Sequence, residues 1–128
     1  GEYWDNDTRF AGLCHAALAV ARHLFRPQII HCHDWQAGLL PVYLRQFYSS
    51  DPTFFGVRTV FTIHNQAYQG EFGLESLDWL GLPHYLFNYT QVEAWGRVNF
   101  LKSGCAFADH TTTVSPRYAE EIQTREFG

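Results

Sequence analysis

The sequence contains no methionine, and it opens on Gly1-Glu2-Tyr3-Trp4-Asp5, which carries neither the basic nor the apolar stretch of a secretory signal. Both features suit an excerpt of a longer protein. Cysteine is scarce and odd in number. Cys14, Cys32 and Cys105 lie far apart among apolar residues, which fits neither a disulfide framework nor a paired Cys-x-x-Cys metal site. A reducing compartment follows. Basic residues are few as well: Lys and Arg total 9 against 13 Asp and Glu, for a net charge of −4. They are scattered, so no phosphate-tracking stripe exists and a nucleic-acid partner is disfavoured. No apolar run reaches the roughly 20 residues of a membrane-spanning helix. Internal repeats, low-complexity tracts and linkers are also missing. Without a Gly-x-Ser-x-Gly elbow, a P-loop or a dinucleotide fingerprint, acyl hydrolysis and NTP hydrolysis fit poorly.

What is present is a chain of 128 residues, 46% hydrophobic and 17% aromatic. That is enough for one core, and it excludes disorder and makes two domains improbable by size. Phe10, Leu13, Cys14, Ala17, Ala21 and Leu24 recur at helical spacing between the capping candidates Asp5-Asn6-Asp7-Thr8 and the stop at Pro27. Gln28 to Cys32 reads as a buried strand, and residues 37–48 as a helix with Leu40, Tyr43, Leu44 and Phe47 inward and Pro41 kinking its first turns. Arg58 to Ile63 is the next strand. An irregular, aromatic-rich stretch follows, broken by Gly70, Gly73, Gly81 and Pro83, with a short helix at residues 74–80. Val98, Leu101, Cys105 and Ala108 predict another helix, His110 to Val114 a third strand, and Ser115-Pro116 opens a last helix. Alternation of this kind predicts an α/β fold with a parallel sheet covered on both faces. Ligands of such sheets bind beyond the carboxyl ends of the strands, here at His33-Asp34-Trp35, His64-Asn65-Gln66 and Ser115-Pro116.

Two of these phrases carry chemistry. His31-Cys32-His33-Asp34-Trp35 puts two imidazoles on one strand face beside a carboxylate, which could seed a divalent-metal site for hydrolysis. Alternatively, His31 is a satisfied histidine within the sheet and Asp34 caps the next helix. His64-Asn65-Gln66-Ala67-Tyr68-Gln69-Gly70 gathers an imidazole, amides and an aromatic ring, groups that serve sugar hydroxyls and C–H faces. Read blandly, it is a loop whose amides satisfy their own backbone. The aromatics Trp79, Tyr85, Phe87, Tyr89 and Trp95 suit either core packing or stacking on a polysaccharide. Ser115-Pro116 offers a helix N-terminus that either receives a phosphate or simply caps.

Read in order, the phrases resemble the starch and glycogen synthases of glycosyltransferase family 5. Those carrying the likeness are Asp5-Asn6-x-x-Arg9-Phe10, His33-Asp34-Trp35-Gln36-Ala37-Gly38 and Thr62-Ile63-His64-Asn65-Gln66-Ala67-Tyr68-Gln69-Gly70. They continue through Phe100-Leu101-Lys102-Ser103-Gly104, Ala108-Asp109-His110 and Thr113-Val114-Ser115-Pro116-x-Tyr118-Ala119-x-Glu121-Ile122. The resemblance implies that residues 1–128 are part of the N-terminal, Rossmann-like catalytic domain of a two-domain GT-B glycosyltransferase, with the domain start and the second domain outside the chain. It further implies retaining transfer of glucose from ADP-glucose or UDP-glucose to the non-reducing end of an α-1,4-glucan, without a cofactor or metal. By similarity His64 and Asp34 serve the reaction and Trp35, Asn65, Tyr68 and Gln69 bind the sugar. The location implied is the cytoplasm, or the plastid in a plant or alga. Neither the family's Lys-x-Gly-Gly phrase nor its Arg and Lys pair for the diphosphate occurs here, so the 128-residue chain by itself is expected to be inactive. A non-catalytic glucan-binding module and a metal-dependent hydrolase built on His31, His33 and Asp34 stand as alternatives.

Overall fold

The computed structural model describes residues 4–114. Three strands, β1 (Ile29–His33), β2 (Arg58–Ile63) and β6 (His110–Thr113), form a parallel sheet in the order β1-β2-β6. The register sets His33 opposite Thr62 and Thr62 opposite Thr112, so the carboxyl ends of all three strands lie along one edge. Helices α1 (Asn6–His23), α2 (Leu40–Tyr48) and α4 (Phe100–Phe107) connect or precede the strands, as expected for parallel pairing.

Only one face of this sheet is covered among the described residues. Cys32, Phe61 and Ile63 are buried, and a Cβ on Gly104 would stand 2.5 Å from the Phe61 ring. Absence of that side chain lets α4 lie directly on β2. On the other face His31, His33, Arg58, His110 and Thr112 are exposed. Of the two covered faces expected, the described residues cover one. Alternation along β1 explains it, since Ile30 and Cys32 face the helices while Ile29, His31 and His33 face outward.

Helix α1 buries Ala11, Cys14, Leu18 and Ala21, a stripe at 3.6-residue spacing. Three residues assigned to that stripe by periodicity, Leu13, Ala17 and Leu24, are exposed instead. Asp5 occupies the N-cap without a side-chain capping bond. The second helix begins at Leu40 because residues Trp35–Ala37 form a 3-10 turn. Pro41 then sits in the first turn of α2, where its missing N–H is harmless, and does not kink it. Tyr43, wholly buried in α2, donates its hydroxyl to the Leu80 carbonyl at 2.9 Å. That bond ties α2 to α3 (Ser76–Leu80).

The stretch after β2 is more ordered than its glycines suggest. β3 (Glu71–Phe72), β4 (Glu93–Ala94) and β5 (Arg97–Asn99) make a small antiparallel sheet in the order β3-β5-β4. Val98, read as helical, lies in β5. The β4–β5 hairpin turns on Trp95 and Gly96, both at positive φ (53° and 79°), an arrangement that Asn-Gly ordinarily supplies. No described helix is long and apolar enough to cross a membrane.

Candidate functional site

Asp34 follows β1 at the carboxyl edge of the sheet. Its N–H donates to the Thr62 carbonyl at 3.0 Å, extending the ladder one residue past the strand. There the backbone adopts φ 61°, ψ −177°, a region that is essentially glycine territory and costs a side chain about 1–3 kcal/mol. Its carboxylate accepts the His64 N–H at 2.6 Å and the Asn65 N–H at 3.3 Å through a single oxygen. Although Asp34 stands at the N-cap of the 3-10 turn, it makes no capping bond. The sequence-based assignment as a helix cap is corrected: Asp34 clamps the end of β1 to the end of β2.

Residues 64–70 are held from inside. Asn65 Oδ1 accepts the Ala67 N–H at 2.8 Å, an Asx-type turn that leaves the Asn65 NH2 without a partner among the described residues. Gln69 Nε2 donates to the Gln66 carbonyl at 3.1 Å and its Oε1 accepts from Asn99 Nδ2 at 2.7 Å. The first N–H groups of α4, on Phe100 and Leu101, donate to the Gly70 and Gln69 carbonyls. The helix terminus thereby anchors the loop. Gly70, at φ 68°, presses against Trp35 so closely that a Cβ would lie 2.3 Å from the indole.

Trp35 forms the floor of a groove. Phe10 meets it edge-on at 5.0 Å between ring centroids, with Phe72 and Phe100 behind at 6.4 and 6.3 Å. On one side Asp34, Trp35, Asn65 and Tyr68 line a hollow of about 380 Å³ together with Asn6 and Phe10. On the other, Trp35, Tyr68 and Gln69 line one of about 300 Å³, again with Asn6. Such volumes suit a small ligand. Five of the six residues singled out from sequence thus line two hollows that share Asn6, Trp35 and Tyr68. Asn6, buried at the start of α1 and common to both hollows, was read as a capping candidate. Its place in the Asp5-Asn6-x-x-Arg9-Phe10 phrase was the available signal.

The sixth, His64, joins the site by backbone and departs from it by side chain. Its imidazole lies outside the residues lining the groove, with Nε2 3.1 Å from His33 Nδ1. The His33 ring is 4.1 Å from the His31 ring, His31 Nε2 is 2.6 Å from Thr62 Oγ1, and Thr62 Oγ1 is 2.6 Å from Thr112 Oγ1. A line of polar side chains thus crosses the open sheet face from β6 to the end of β2. The ring nitrogens in these contacts face one another or a hydroxyl, and the Asp34 oxygen in use faces N–H donors. Among the described residues no three His, Cys, Asp or Glu side chains converge as metal ligands, so His31, His33 and Asp34 are not assembled as the hydrolase alternative requires.

The remaining candidates disperse. Trp79 donates to Asp7 at 2.6 Å and Tyr85 accepts from Gln46. Phe87 packs against the core, whereas Tyr89 and Trp95 are exposed. Burial pushes the Cys14 and Cys32 thiols up to about 12 and the Cys105 thiol to about 11, far from the activated range of a nucleophile. Ser115-Pro116 and the helix expected after it lie outside the described residues.

Known proteins are similar to this chain in sequence and in fold. The family model for the starch synthase catalytic domain matches residues 1–128. The glycogen synthase of Koribacter versatilis is 52% identical over 128 residues, which is 100% of this chain and 26% of that protein. The glycogen synthase of Aquifex aeolicus is 46% identical over 127 residues, 98% of this chain and 26% of that protein. Among solved structures, the catalytic domain of starch synthase IV from Arabidopsis thaliana, bound to ADP and acarbose, superposes with a TM-score of 0.86 at 33% identity. That match covers 100% of this chain and 27% of the other. The chain therefore spans about a quarter of the length of these relatives, and it belongs to the starch synthase catalytic domain family, carrying part of the Rossmann-like sheet of a GT-B fold.

Proposed function

We propose that this chain forms one wall of the sugar pocket of a retaining glucosyltransferase, which moves glucose from ADP-glucose to the non-reducing 4-OH of an α-1,4-glucan. The observation that carries the reading is the Asp34 clamp. A strained carboxylate joins the ends of two parallel strands, where an α/β sheet binds its ligands, and opens directly onto a groove floored by Trp35. Residues 1–128 are then a portion of the N-terminal lobe, in the cytoplasm or a plastid. The relatives named glycogen synthase and the Arabidopsis structure with ADP and acarbose support this assignment.

The chemistry assigns roles to the residues present. Transfer with retention passes through an oxocarbenium-like state, in which the sugar ring gains positive charge as the bond to the diphosphate lengthens. Fixed dipoles and a nearby carboxylate stabilise that charge without reorganising during the reaction. Asp34 and His64 fill this role at the strand ends. The indole of Trp35 lies against the C–H face of a sugar, while the Asn65 amide and the Tyr68 hydroxyl take its hydroxyls. Gln69, whose amide is engaged at both ends, acts mainly by holding the loop in place.

The test is an assay of the full-length protein with ADP-glucose and a maltooligosaccharide. Chains should lengthen by α-linked glucose at the non-reducing end, and Trp35→Ala should raise the acceptor KM by roughly tenfold or more, the loss of about 1.4 kcal/mol of binding. A protein that binds glucan and transfers nothing is the non-catalytic module instead.

A further inference from the structure

We infer that His33 is a positioning residue that fixes the ring orientation of His64, so that Nδ1 of His64 is the nitrogen left for the sugar. The inference rests on the reading of His64 as a reaction-site residue. His33 and His64 occupy the ends of neighbouring strands, and their rings approach through His33 Nδ1 and His64 Nε2 at 3.1 Å. A neutral imidazole carries one N–H and one bare nitrogen. A hydrogen bond between two ring nitrogens holds a single hydrogen, so one ring donates and the other accepts. In either arrangement Nε2 of His64 is engaged and only Nδ1 remains for a ligand.

The support behind His33 is continuous. Its ring is seated 4.1 Å from the His31 ring. His31 is in turn pinned by Thr62 Oγ1 at 2.6 Å, and Thr62 by Thr112 at 2.6 Å. These side chains share one sheet face through the registers His31↔Val60, His33↔Thr62 and Thr62↔Thr112. The backbone of His64 is fixed separately by Asp34. Asp34 therefore sets where the residue stands and His33 sets where its ring points. An exposed imidazole without such a partner samples several rotamers, and only a fraction would be competent.

Three substitutions in the full-length protein separate this role from a merely structural one. An asparagine side chain places its polar atoms near the position of Nδ1, whereas glutamine reaches toward Nε2. His33→Ala should lower kcat between about 10- and 100-fold, as misplacement of a reacting group does, with the donor KM changed little. His33→Asn should return kcat to within about threefold of the parent, and His33→Gln should not, because only the former can pair with His64 Nε2. The ring nitrogens of His64, followed by 15N NMR, should report a hydrogen-bonded Nε2 in the parent and the loss of that signature in His33→Ala. Parent-like kcat in His33→Ala, equal impairment in Asn and Ala, or an unchanged His64 spectrum overturns the inference. If His64→Ala leaves kcat intact, the role assigned to His64 fails, yet the His64 spectrum in His33→Ala still decides whether His33 positions it.

Discussion

The carboxylate of Asp34 accepts the backbone N–H of His64 at 2.6 Å, binding the carboxyl ends of two neighbouring parallel strands through a residue whose own backbone is strained at φ 61°. Both halves of the candidate site depend on this bond. It opens the groove on the Trp35 side and fixes the start of the histidine line on the other.

Strain and clamp at Asp34 can be separated by substitution. Asp34→Ala keeps the unfavourable backbone and loses the clamp, whereas Asp34→Gly loses the clamp but relieves the strain. Asp34→Gly should therefore be more stable than Asp34→Ala by about 1–3 kcal/mol in urea unfolding, although both lose transferase activity. Equal stabilities would mean that the backbone there is not strained.

Gly70 admits no side chain. Its φ is 68°, and a methyl group on its Cα would stand 2.3 Å from the Trp35 ring, so Gly70→Ala must displace either the loop or the indole. A destabilisation of about 1–3 kcal/mol is expected, typical of overpacking. The acceptor KM should rise with it, because Trp35 floors the groove. Unfolding curves and glucan kinetics on the same preparation check both effects together.

The cysteines should be silent in the native state. With thiols raised to about 12 at Cys14 and Cys32 and about 11 at Cys105 by burial, almost no thiolate exists at pH 8, and thiolate is the reactive form. Titration with a disulfide reagent should give little reaction with these three until denaturant is added. Prompt native labelling of Cys14 or Cys32 would show that α1 opens from the sheet.

Much of this architecture was legible in the sequence because burial there follows period. The strands at 29–33, 58–63 and 110–113 are short β-rich runs separated by helical stretches, and their parallel pairing follows from the helices between them. The two hollows around Trp35 were legible through residue chemistry, as five of the six candidates line one or both. Two things were not. The β3-β5-β4 sheet has strands of two or three residues and turns on Trp95, which carries no turn signature. The role of Asp34 as an interstrand clamp depends on a positive φ and a contact thirty residues away, neither of which local pattern encodes. The rule that covers parallel sheets on both faces applies to whole domains, and Ile29, His31 and His33 face outward among the described residues.

The most direct measurement is glucosyl transfer from ADP-glucose by the full-length protein carrying His64→Ala, with glucan affinity measured alongside. Loss of an oriented polar group at the reacting carbon predicts a fall in kcat of about 10²–10³-fold with glucan affinity retained. Undiminished kcat, or a loss confined to glucan affinity, would contradict a reaction site at the ends of β1 and β2.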